Sequence, residues 1–150
     1  MKFVVTKKEE LNEKEYSRLI ELSEIWVNEN ISFGLVKNTK EDINFPCFIA
    51  TINDEIVGYA FGHYNVVEKK SCSLIEVGST CFFVDEIYVH PNYRSQGIGR
   101  ALFLALENEV KGKATFITLS TSTKDYQKIF KFYDEQNGMT FHDAYFVKKL

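Results

Sequence analysis

The sequence predicts a mixed α/β or α+β layer fold around one sheet. Three observations carry this reading. Strand-like and helix-like runs alternate along the whole chain, no repeat, low-complexity tract or linker-like shift in composition interrupts them, and 150 residues is a common single-domain length. In order, the runs read strand, helices, three strands, helix, strand, helix and strand. One domain over residues 1–150 is expected.

Residues 2–6 are β-branched or aromatic at most positions, and Thr6-Lys7-Lys8-Glu9 matches a capping box, so a strand leading directly into a helix is predicted. Tyr16, Leu19, Ile20, Ile25 and Trp26 then recur at helical spacing. Residues 28–46 lose the pattern to asparagines and Gly34, predicting a loop or short second helix. Residues 47–52 and 55–63 flank Asn53-Asp54, a pair suited to a tight hairpin turn. Residues 66–80 read as an extended arm or surface loop. Residues 82–89 read as a strand mostly buried on both faces, stopped by His90-Pro91-Asn92. A central apolar helix begins near Gly97, residues 115–119 form another strand, and Tyr126, Ile129, Phe130 and Tyr133 mark a helix ending at Asn137-Gly138. Residues 139–147 supply the last strand.

The composition is 45% hydrophobic and 26% charged, with only two prolines, which allows a real core and argues against disorder. A net charge of −3 gives no positive field for nucleic acid. It suits a cationic substrate slightly better than an anionic one, but a charge this small fits a role in solubility alone at least as well. The cysteines Cys47, Cys72 and Cys81 are odd in number and lack Cys-x-x-Cys spacing, which fits neither a disulfide framework nor a zinc knuckle. His63, His90 and His142 add no metal spacing, so no metal is expected. Phe3, Val4 and Val5 are too short an apolar run for a signal core or a membrane span, and cytoplasmic residence with no membrane partner is the expectation.

The informative stretch runs from Val84 to Leu102. A glycine turn feeding a helix N-terminus presents unpaired N–H groups and the positive end of the helix dipole to phosphate oxygens. Two better-known phosphate loops are excluded. No Walker A pattern occurs, and Leu102 stands where a dinucleotide fingerprint needs its third glycine or alanine. Arg94-Ser95-Gln96-Gly97-Ile98-Gly99 instead resembles the Arg/Gln-x-x-Gly-x-Gly/Ala signature of the GNAT (GCN5-related N-acetyltransferase) family. The preceding Ile87-Tyr88-Val89-His90-Pro91 and Tyr93 agree with it. Tyr133 with Asn137-Gly138-Met139 resembles the family's Tyr-x-x-x-Gly-Phe region, with one extra spacer residue and Met139 for phenylalanine. Tyr126 stands where many members carry asparagine. The hairpin with Gly58 resembles the family's second and third strands, so the likeness spans nearly the whole chain.

The resemblance implies a GNAT-like acyl-CoA N-acyltransferase fold, with a central, mostly antiparallel sheet of about six to seven strands and helices on both faces. It implies an acetyl-CoA-dependent enzyme that acetylates a primary amine of a small molecule or protein by direct attack. A non-catalytic acyl-CoA-binding module is the alternative. Coenzyme A would be held by backbone N–H groups of Arg94, Ser95, Gln96, Gly97, Ile98, Gly99 and Arg100 and, strand-fashion, by the Ile87-Tyr88-Val89 segment. The N–H near Val89, at a strand distortion, would stabilise the oxyanion.

Tyr133 is the candidate proton donor to the departing thiolate, although its helical spacing also suits a core residue. Glu86 is the candidate general base, because an acid within an apolar strand should have a raised pKa. Asp85 is the alternate, since adjacent strand residues point to opposite faces and only one can face the cleft; either could instead cap or pair structurally. A covalent acyl-enzyme is not expected, for there is no nucleophile elbow and Cys81 has no recognisable histidine partner. Phe45, Phe82 or Tyr145-Phe146-Val147 could supply an apolar surface for a homodimer.

Overall fold

The computed structural model describes residues 2–150; residue 1 lies outside the described residues. Five strands form one sheet in the order β1-β2-β3-β4-β5, with β1 to β4 antiparallel and β5 parallel to β4. They are β1 (Val4–Lys8), β2 (Cys47–Ile52), β3 (Glu55–Val66), β4 (Thr80–Val89) and β5 (Phe116–Thr118). The expected α/β class with a mostly antiparallel sheet holds, with fewer strands than expected.

The first helix, α1 (Glu13–Glu29), covers one face. Its Leu19 and Leu22 pack with Ile49, Tyr59, Phe61 and Tyr88. Leu19 and Leu22 are fully buried, each stabilising by roughly 1.5–3 kcal/mol. The second, α2 (Ile98–Val110), covers the other face, where Ile98, Leu102, Leu106 and Val110 meet Phe48, Ala60, Phe82 and Val84. β2 and β3 turn at Asn53-Asp54, both left-handed at φ 48° and 63°, as the hairpin reading requires.

Two expectations are corrected near the N-terminus. The capping box is not Thr6/Glu9 but Asn12/Glu15, whose side chains and amides bond reciprocally at 2.9 Å. Residues 7 and 8 continue β1 instead, because they pair with Phe48 and Cys47 of β2. Residues 28 and 29 end α1, residues 30–46 form a loop with a single 3₁₀ turn at Lys40–Asp42, and residues 67–79 are loop.

At the C-terminus, the expected strand over residues 139–147 is not formed. β5 is three residues long and offers little edge to pair with. The segment is held by side chains instead: Phe141 packs on Phe130, ring centroids 5.0 Å apart, and His142 Nε2 accepts from the Ser73 amide at 3.3 Å. The helix before it, α3 (Tyr126–Phe130), continues into a π-helical turn at Lys131–Gln136.

Candidate active site

The site is set by two departures from a regular sheet. The first is a bulge. Gly62 pairs with Val84 and Phe61 with Glu86, so Asp85 is an extra residue in β4. Before the bulge, Phe82 and Val84 face α2; after it, Tyr88 faces α1 and Ile87 and Val89 face α2. The alternation changes phase at Asp85, and both Asp85 and Glu86 turn to the α1 side. The expectation that only one of them can reach the cleft is thereby corrected. Gly62 is required opposite the bulge, because a Cβ there would lie 2.1 Å from the Phe83 carbonyl oxygen.

The second departure is a splay. β5 pairs only with Cys81, Phe82 and Phe83, and beyond them β4 loses its neighbour. A cavity of about 560 Å³ opens there, between β4 residues 84–89 on one side and Leu119, Ser120, Ile129 and Tyr133 on the other. His90 donates its N–H to the Val57 carbonyl of β3 at 2.9 Å, so by strand alternation the main-chain groups of Val89 and Ile87 point to the open side. The register is regular at Val89, which pairs with Gly58. The distortion expected beside it lies at Asp85 instead.

The glycine turn closes one end of this cavity. Ser95 and Gly97 are both left-handed, at φ 62° and 84°, and a Cβ on Gly97 would meet nothing within 4 Å. None of the amides of residues 95–100 has an acceptor among the described residues, and Gly97 supplies no capping side chain. Arg94 differs from the rest of its motif. Its amide donates to the Pro91 carbonyl at 3.3 Å, and its guanidinium is bound bidentately by Glu29, both contacts 2.7 Å. Its side chain is thus already paired within the protein. Gly99 sits against the Phe132 ring, 3.4 Å from where its Cβ would be.

Glu86 Oε2 accepts from the Tyr59 hydroxyl at 2.7 Å and from Asn38 Nδ2 at 2.8 Å. Burial raises its pKa above the ordinary carboxylate value, while those two donors pull it back. No described group bonds Oε1, and no buried side-chain oxygen lacks a partner, so Oε1 is accessible from a cavity. Asp85 accepts from Asn44 Nδ2 at 2.7 Å and contacts His63 Nδ1 at 2.8 Å. The Tyr133 ring packs edge-on against Phe103 and Phe132 within the π-helical turn. Its hydroxyl likewise has no partner and so reaches the cavity, and burial pushes its pKa upward. Cys47, by contrast, is pushed up to about 12 by burial and offers no thiolate.

A second cavity, of about 420 Å³, lies on the α1 side. It is lined by Asn38, Glu41, Asp42 and Asn44 of the loop, by Phe61, and again by Asp85 and Glu86. No lysine, arginine or histidine lines it. The Thr39 amide and hydroxyl, at 2.7 and 2.8 Å, hold the Asp42 carboxyl below its usual range and keep it ionised. Asn38, Asn44, Tyr59, Glu41 and Glu29 were not legible as site residues. Asn38, Asn44, Tyr59 and Glu29 are placed by pairings 27 to 65 residues apart, and Glu41 by the loop that lines the cavity.

Residues 9–139 match the model of the acetyltransferase (GNAT) family. The chain belongs to the GNAT family of acetyltransferases. It is therefore an acetyl-CoA-dependent N-acetyltransferase. No curated protein matches the sequence. Among solved structures, an acetyltransferase from Trypanosoma brucei is similar at TM-score 0.67 and 19% identity, covering 99% of this chain and 100% of that one. The aminoglycoside acetyltransferase AAC(6')-Iy, in complex with the bisubstrate analogue CoA-S-monomethyl-acetylneamine, has TM-score 0.67 and 15% identity, covering 100% and 99%. A ribosomal-protein-alanine N-acetyltransferase from Brucella melitensis has TM-score 0.64 and 15% identity, covering 98% and 99%. At these identities the likeness is one of fold. Among the described residues no group of side chains is arranged to hold a metal ion, and no helix is long and apolar enough to cross a membrane.

Proposed function

We propose that this GNAT enzyme acetylates a cationic primary amine, which enters through the acidic cavity while acetyl-CoA occupies the splay between β4 and β5. The observation that carries this reading is that Asp85 and Glu86 line both cavities. They stand where an amine from one side would meet an acyl group from the other.

The residues present fit the acyl donor. The unpaired amides from Ser95 to Arg100, at the positive end of α2, would hold the pyrophosphate, and Gly97 leaves the approach open. The main chain of Ile87, on the open side of β4, would hold the pantetheine arm; that of Tyr88 faces β3, and the Val89 carbonyl is taken by Arg94. The four carboxylates Glu41, Asp42, Asp85 and Glu86 favour an ammonium-bearing acceptor. The neighbouring aminoglycoside and ribosomal-protein acetyltransferases are named for acceptors that are amines.

Acetyl-CoA supplies the activated acyl group, and in the transfer a C–N bond forms as the C–S bond breaks. Glu86 Oε1 takes the proton that the amine must lose, directly or through water. The Val89 N–H, on the open side of β4, donates to the developing oxyanion. Tyr133 returns a proton to the thiolate. A phenol is protonated at neutral pH, so the cavity-facing hydroxyl has a proton to give.

The test is free-thiol release from acetyl-CoA across a panel of polyamines, amino sugars, amino acids and peptides. Saturable release with multiply charged amines, weakening as salt is raised, is the expected result. Release only with neutral or anionic amines would remove the role given to the acidic cavity. Tight coenzyme A binding with no release from any member would leave a binding module instead of the proposed transferase.

A further inference from the structure

Glu29 is the last residue of α1, where the helix dipole disfavours a carboxylate and no basic residue in the last turn offsets it. Its side chain is nonetheless only 16% exposed. The hydrogen bonds it accepts come from the β4 and glycine-turn side of the site. Oε1 and Oε2 each accept from the Arg94 guanidinium at 2.7 Å, and Oε1 also accepts from the Tyr88 hydroxyl at 2.6 Å. The same guanidinium uses its Nε to donate to the Val89 carbonyl at 2.8 Å.

The peptide between Val89 and His90 is therefore pinned from both edges. Its N–H goes to Val57 of β3 at 2.9 Å, and its carbonyl goes to Arg94. In a strand the N–H and C=O of one residue point to the same side. Holding the Val89 carbonyl toward the open edge thus holds the Val89 amide there as well. We infer that Glu29 is a positioning residue for acetyl transfer, acting through Arg94 to fix the direction of the Val89 N–H. The inference rests on the role given to that N–H under Proposed function. Arginine is needed at position 94 because its planar fork can bind a carboxylate with two nitrogens while the third reaches a carbonyl, which a lysine ammonium cannot reproduce.

The experiment compares Glu29→Gln, Arg94→Lys and the double variant with the parent. Three quantities are measured: kcat, the affinities for acetyl-CoA and coenzyme A by calorimetry without acceptor, and Tm. Glu29→Gln is expected to lower kcat by about 10- to 100-fold, less than outright loss of an oxyanion donor. Coenzyme A affinity should move by less than about threefold, because the free thiol carries no carbonyl for Val89 to contact. The double variant should fall no further than the worse single variant, as expected for residues acting as one unit.

The parent should bind acetyl-CoA a few-fold more tightly than coenzyme A, about the effect of one hydrogen bond, and Glu29→Gln should erase that preference. This readout needs no turnover, so it still decides the matter if the parent proves inert with every amine and the proposed function fails. Parent-like kcat and preference in Glu29→Gln would overturn the inference. So would kcat, coenzyme A affinity and Tm falling together, which marks a plain structural staple. If Glu29→Gln does not fold, Tyr88→Phe removes one contact to Glu29 and should lower the preference part-way. An unchanged preference there would overturn it too.

Discussion

Glu86 places a carboxylate in an apolar strand, and its surroundings pull it in two directions. Burial, then the charges of Asp85 and Asp42, raise its pKa, while Tyr59 and Asn38 lower it, and the net result lies above the ordinary value of 4.5. A base must be ionised to work, so kcat/KM is expected to fall as pH drops through that raised value, at higher pH than an exposed carboxylate would give. Stability responds in the opposite sense. Between the unfolded and folded pKa the native state holds a proton that the unfolded chain has released, so this residue's contribution is greatest below the unfolded value and declines as pH rises through the folded one. Glu86→Gln should therefore abolish the acid limb, lower kcat by about 10²-fold or more, and raise Tm relative to the parent at neutral pH but not at acidic pH. Equal Tm differences at both pH values, measured by thermal denaturation, would contradict the assignment. Tyr133→Phe keeps the ring contacts with Phe103 and Phe132 and removes only the cavity-facing hydroxyl. A roughly 10²-fold loss in kcat with coenzyme A affinity nearly unchanged is expected; a matched loss of affinity would make the residue a binding contact. The candidate acid and base were legible because an acid in an apolar strand and a tyrosine in a motif stand out locally. Their partners were not, since Asn38 and Tyr59 reach Glu86 only through the fold.

At the scale of elements, the β4 bulge does most to build the site, and it is the feature a periodic reading of sequence misses. A single extra residue reverses the alternation, and nothing in Phe82-Phe83-Val84-Asp85-Glu86 announces it. The partial signal is Gly62 on β3, an otherwise unexplained glycine in a buried strand. Gly62→Ala would put a Cβ 2.1 Å from the Phe83 oxygen and 2.7 Å from the Phe82 ring, where backbone has to give way. It is expected to destabilise by about 2–3 kcal/mol by denaturant midpoint and to impair turnover, because Asp85 and Glu86 move with the bulge. Gly62→Ala with parent stability would show that the register is not fixed there. The start of α1 shows a similar limit. Thr6/Glu9 and Asn12/Glu15 satisfy comparable capping rules, and the choice falls to the second because residues 7 and 8 gain ladder bonds with β2. The glycine turn was legible because its requirements, a left-handed Gly97 and a free helix N-terminus, are local ones.

Across the whole molecule, strand order and the faces covered by the two helices follow from runs that the sequence shows plainly, whereas the C-terminal end does not. Residues 139–147 are rich in strand-forming side chains, yet propensity specifies a strand only where an edge is available, and β5 extends for three residues. The outcome is a tail whose Tyr145, Phe146, Val147 and Leu150 are all more than 80% exposed. Its inner part is attached, through Phe141 on Phe130 and His142 on Ser73, close to the helix that carries Tyr133. The two parts should behave differently when removed. Deleting residues 144–150 takes away exposed side chains that no sheet pairing holds, so the change in stability should stay within about 0.5 kcal/mol. For a chain of this size that is a Tm shift of about 2 °C or less. Deleting residues 140–150 also removes the Phe141–Phe130 contact and should cost several degrees more. Thermal unfolding of both truncations separates these cases. A fall of about 5 °C or more on deleting residues 144–150 alone would show that these residues complete the sheet as a sixth strand.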